Sequence, residues 1–124
     1  MATFNLPTKP IRCLLNFDPE SGAWVAHCLD FDLVTSGRDD SEAWERIKSV
    51  VKLHIEHCFT HDQGGLCSHV APQQLIDSFD AGLKHWEVWS DKIKLNLIAP
   101  TKPENVFWIK GVELEQTACL SHVH

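Results

Sequence analysis

Residues 22–56 read GAWVAHCLDFDLVTSGRDDSEAWERIKSVVKLHIE, and the period of the apolar side chains changes once along that stretch. From Ala23 to Cys28 the period is two: Trp24, Ala26 and Cys28 share one face of an extended chain, with Val25 and His27 on the other. A short strand over Leu33 to Thr35 follows. Beyond Asp39 the period becomes three to four, with Ala43, Trp44, Ile47, Val50, Val51, His54, Ile55 and Cys58 on one stripe and Glu45, Arg46, Lys48, Ser49, Lys52 and Glu56 opposite. Asp39 with Glu42 three residues on has the form of a capping box, so an amphipathic helix of about four or five turns is predicted to begin there.

Upstream, Ile11, Cys13, Leu15 and Phe17 alternate as a strand with one buried face, and Asp18, Pro19, Ser21 and Gly22 mark a turn. Three short strands with tight connections predict an antiparallel meander before the long helix. Downstream, Gly64 and Gly65 are available to end that helix. Pro72 suits the first turn of a second helix with an apolar stripe of Leu75, Ile76, Phe79, Leu83 and Trp86, although Gly82 opposes it. Ile93, Leu95 and Leu97 alternate with Lys92, Lys94 and Asn96 as a strand. A loop from Ala99 to Asn105 and a last strand from about Val106 to Leu114 complete a hairpin, with a bulge predicted at Gly111. The fold class is α+β in a single domain over residues 1–116, with 117–124 read as a frayed tail.

Hydrophobic residues make up 44% of the 124 and charged residues 23%, an ordinary globular mixture that predicts a folded chain. No basic segment precedes an apolar run at the N-terminus, and no run is long enough to suggest a membrane span, so a soluble cytoplasmic protein with no membrane partner is the expectation. Five cysteines without export information predict reduced thiols, most simply small buried hydrophobes. The formal net charge of −6 opposes binding to a phosphate backbone and suits a basic protein partner better.

The order and spacing of Trp24, Ala26, Leu29, Asp30, Gly37, Glu42 and Ala43 resemble the HicB-like antitoxin family, over residues 11–58. The helix and hairpin over 72–115 extend that core. The resemblance implies a β-β-β-α-β core like part of the RNase H fold. It also implies a non-catalytic, homo-oligomeric protein-interaction domain that covers a small basic toxin of the HicA type. Many such antitoxins carry a C-terminal DNA-binding module. Residues 72–115 read helix, strand, strand, which is neither a ribbon-helix-helix nor a helix-turn-helix, so no specific DNA binding is expected.

Two constellations bear on chemistry. Asp18, Asp30 and Asp32 lie at strand ends, where a carboxylate cluster could hold two Mg²⁺ ions in an RNase H-like core, although aspartate in turns commonly bonds nearby backbone N–H groups instead. His54, His57, Cys58 and His61 crowd the end of the long helix, and Cys67 and His69 follow the glycine loop. The four-residue spacing of His57 and His61 lets two imidazoles meet one ion. No cofactor is required by this reading, but a Zn²⁺ site is compatible, and a metal-binding protein or small metalloenzyme stands as the second reading. Of the five tryptophans, Trp44, Trp86 and Trp108 fit a core. Trp89, off the Trp86 stripe near a helix end, is the expected exposed interface anchor.

Overall fold

In the computed structural model, which describes residues 10–61, 70–98 and 108–121, the alternating segments form strands β1 (Ile11–Asp18), β2 (Ala23–Cys28) and β3 (Leu33–Gly37). Helix α1 (Asp40–Thr60) and helix α2 (Gln73–His85) follow, then β4 (Glu87–Ile98) and β5 (Trp108–Ser121). The sheet order is β3-β2-β1-β5-β4, with β5 parallel to β1 and every other neighbouring pair antiparallel. The meander, the two helices and the C-terminal hairpin expected from the sequence are present, and the five strands form one mixed sheet. At the first turn Asp18 accepts from the Glu20 backbone N–H and the Ser21 hydroxyl. Gly22 follows at φ +73°, a conformation that costs other residues a clash at Cβ.

Helix α1 lays Ala43, Trp44, Ile47, Val51, Ile55 and Cys58 on one face of the sheet, against Ile11, Cys13, Leu15, Ala26, Cys28, Ile93, Leu95, Leu114, Ala118 and Leu120. It runs 21 residues, nearly six turns, longer than the spacing alone predicted. Asp39 caps it by accepting from the Glu42 backbone N–H at 2.7 Å. The return bond is displaced by one residue, because Glu42 accepts from the Arg38 N–H at 3.1 Å and also holds its guanidinium. Gly37 explains how β3 can end so close to the helix start: a Cβ there would lie 2.5 Å from the Ala43 nitrogen.

On the opposite face Leu14, Leu29, Ala71, Phe79 and Cys119 form a second cluster, with Leu75, Ile76 and Trp86 half-buried beside it. Pro72 is the cap residue of α2 rather than its first helical position. Leu83, expected on the stripe, is 47% exposed. Trp86 ends the helix and folds its ring over Gly82, where a Cβ would come within 2.4 Å of the ring. The glycine that weakens this helix is thus the residue that admits the tryptophan.

Two expectations for the C-terminal region are corrected. Strand β4 begins at Glu87, so Trp89 is a strand residue that packs against the α1 cluster, edge-on to Trp44 at 6.4 Å, and not an exposed helix-end anchor. Residues 117–121 are not a frayed tail but the end of β5. They pair with β1 from Arg12↔Thr117 to Asn16↔Ser121, and Ala118, Cys119 and Leu120 are fully buried. Gln116 hid this continuation, since a polar residue interrupts the apolar alternation at a position that is itself fully buried. The bulge is where it was expected: Leu95 faces Val112 and Asn96 faces Lys110, leaving Gly111 without an opposite residue. The side chain of Trp108 lies outside the described residues.

Candidate functional site

The connector between β2 and β3 is built from polar groups that satisfy one another. Asp30 accepts from the Arg12 backbone N–H at 2.7 Å and from its guanidinium at 2.6 Å. That hydrogen bond raises the Arg12 pKa above its ordinary value against the opposing effect of burial. Asp32 adopts φ 52°, and its carboxylate lies 2.6 Å from His27 Nε2. Asp18 stands at the other end of β1, six positions from Arg12, or about 20 Å at the rise of a strand. The three aspartates are therefore not one cluster, and each is occupied with local hydrogen bonds.

At the end of α1, His57 and His61 place their rings 4.3 Å apart, as the four-residue spacing requires. His54 turns toward the core instead, with its ring 5.5 Å from Phe31 and its Nε2 3.7 Å from Cys58 Sγ. Burial lowers the His54 pKa, and the neighbouring His57 lowers it further. Cys58 is buried and disulfide-bonded, contrary to the expectation of reduced thiols, which removes its thiolate from the ligand set. Cys13, Cys28 and Cys119 are free and buried, as expected. Cys67 and His69 lie outside the described residues. Among the described residues no three His, Cys, Asp or Glu side chains are placed to hold a metal ion.

A shallow groove between α1 and β4 is lined by Glu45, Lys48, Ser49, Lys52, Lys92, Ile93 and Lys94. Its lysines are largely matched by carboxylates: Lys48 with Asp91 and Glu45, Lys52 with Glu56, and Lys92 with Glu113. Burial acts to lower the Lys48 pKa, yet the hydrogen bonds that Lys48 donates to Asp91 and Glu45, with the charges of those carboxylates, outweigh it and hold the value raised. So much internal pairing leaves the groove a poor anion receptor despite its lysines.

Helix α2 packs on β1, β4 and β5, and β3 forms an edge with Val34 59% exposed. Arg46 donates to the Ser36 carbonyl at 2.8 Å, which shows that the backbone groups of Ser36, and by alternation those of Val34, point away from β2. Sequence reasoning did not identify this edge, because strand order is a property of pairing and not of any local pattern. No described helix is long and apolar enough to cross a membrane. Comparison of the chain with protein-family models, curated proteins and solved structures finds no match.

Proposed function

We propose that this chain is a non-catalytic protein-interaction domain of the HicB-like kind, which assembles with a second copy of itself and binds a small basic protein partner of the HicA toxin type. The observation that carries the reading is the uncharged β3 edge, which no described strand covers, with Val34 exposed. An exposed edge strand is a template for pairing with another chain unless it is blunted. The positions that carry the family resemblance have structural roles consistent with it. Gly37 lets β3 meet α1, Ala26 and Ala43 are fully buried between sheet and helix, and Asp30 ties the connector to Arg12. The net charge of −6 favours a basic partner by long-range attraction.

Co-expression with the small basic product of an adjoining reading frame tests the reading. A stable complex that is weakened at least about tenfold by Val34→Lys is the expected result. Failure to form a complex, or a complex indifferent to Val34→Lys, would overturn it. Specific duplex DNA binding is not part of this function. Residues 72–124 contain five Lys or Arg against seven Asp or Glu, and gel shifts on the chain's own upstream DNA should show no sequence-dependent complex.

A further inference from the structure

The Leu29 backbone N–H donates to the Arg12 carbonyl at 2.8 Å. In the β1–β2 register this single bond joins the two residues that flank Cys13↔Cys28 on one side, while the Arg12 N–H turns to Asp30 and the Leu29 carbonyl accepts from the Ala71 N–H. The next pair inward, Cys13↔Cys28, must then be of the non-hydrogen-bonded kind. In such pairs the Cα atoms lie about 4.5 Å apart and the side chains approach most closely, inside the range of about 4.4–6.8 Å over which a disulfide can form. Both sulfurs are free, fully buried and on the face covered by α1. Beside them the buried Gln116 donates from Nε2 to Cys13 Sγ at 2.7 Å, while its Oε1 has no partner among the described residues. A buried amide with an unsatisfied oxygen is costly, and an apolar side chain would fill the same position without that cost.

We propose that Cys13 and Cys28 are a redox pair that closes into a cross-strand disulfide within the folded core, with a small-molecule disulfide as oxidant. One cysteine thiolate attacks the oxidant, forming a mixed disulfide and releasing one small thiol. The other thiolate attacks the protein sulfur of that mixed disulfide and releases the second small thiol. Two protein thiols are oxidised, one disulfide is reduced to two thiols, and the protons of the two cysteines are carried by the released thiols. Gln116 is a positioning residue: its N–H favours the charged sulfur of Cys13 and holds it beside Cys28. Burial raises the Cys13 pKa, with Cys28 adding to the effect, so thiolate is scarce while the sheet is closed. Exchange therefore proceeds through local opening of β1 and β2, slowly in water and faster at denaturant concentrations that promote opening.

Both cysteines fall in one tryptic peptide, residues 13–38, because Arg12 and Arg38 bracket a stretch with no other Lys or Arg. The full chain is equilibrated with mixtures of oxidised and reduced glutathione, once in buffer after unfolding and refolding and once in denaturant. Free thiols are then alkylated at low pH and the peptide is weighed without reduction. The expected result is an internal disulfide, seen as an unalkylated peptide lighter by two hydrogens, formed about tenfold more favourably in the folded chain than in denaturant. By the same linkage the oxidised protein unfolds at higher denaturant concentration than the reduced one. Cys28→Ser, close in volume, abolishes the internal disulfide, and Cys119→Ser, on the opposite face, leaves it in place. Equal or weaker formation in the folded chain, or pairing of Cys13 or Cys28 with any other cysteine, would overturn the proposal.

Discussion

Gly37 is the residue at which the meander and the helix are joined most tightly. An added methyl would meet backbone atoms of Glu42 and Ala43, which have no rotamer by which to move aside. Gly37→Ala should therefore lower stability by about 2–3 kcal/mol, a typical cost of overpacking, in urea titration. Gly22→Ala meets nothing within 4 Å and carries only the penalty of a positive φ, about 1–2 kcal/mol. A Gly37 variant no worse than the Gly22 variant would contradict the close approach. His54 supplies a second test. Its pKa is lowered in the folded protein by burial and by His57, so below the ordinary value of about 6.5 the unfolded chain takes up the proton more readily. The stability associated with neutral His54 is present above that value and is lost as pH falls toward the lowered folded pKa. Thermal melts between about pH 7.5 and 5.5, spanning that titration, should decline less steeply for His54→Gln than for the parent. Equal slopes would assign the decline to other groups.

Among the elements, β5 separates what was legible in the sequence from what was not. Strands β1 to β3, both helices and the hairpin are written in local periodicity, and the bulge in a single glycine. The parallel pairing of Ile11 with Gln116 joins segments about a hundred residues apart and leaves no local trace. The end of β5 was hidden for a related reason, because Gln116, Thr117 and Ser121 make a segment that is polar by composition yet central by pairing. Trp89 was misplaced because the helical reading runs past the true end of α2 at His85, and no glycine or proline between Trp86 and Trp89 marks the change to a strand. The proximity of His57 and His61 followed directly from their spacing, whereas the disulfide at Cys58 could not be read from an odd number of cysteines. The Cys13–Cys28 pair follows once the turn at Asp18–Gly22 fixes the register, but as separate residues the two are indistinguishable from small core hydrophobes. The position of β5 has a direct consequence: deleting residues 117–124 removes most of the pairing between β5 and the central strand β1 and should abolish cooperative unfolding in circular dichroism. Leu120→Ala should cost about 2–4 kcal/mol, and a truncated chain that melts like the parent would restore the frayed-tail reading.

For the whole molecule, the question is which boundary of the sheet another chain can use. Five strands leave two edges, β3 and β4, and they differ in chemistry. The β4 edge is long but carries Asp91, Lys92 and Lys94, and charged edge residues, lysine above all, discourage strand addition. The β3 edge is short and uncharged. Antiparallel addition of a second copy centred on Thr35 would set Thr35 opposite itself and Val34 opposite Ser36, giving a self-complementary two-fold contact. Arg46 would have to release the Ser36 carbonyl to admit the partner, and that hydrogen bond sits on an exposed side chain that water can replace at small cost. Sedimentation velocity at tens of micromolar, where a dimer of micromolar affinity persists, should show a dimer. Ser36→Pro removes an N–H that points away from β2, a substitution an edge strand tolerates, so the variant should keep its circular dichroism spectrum and sediment as a monomer. A monomeric parent would remove the self-assembly from the proposed function, and a dimeric Ser36→Pro variant would move the contact away from β3 to another surface of the fold.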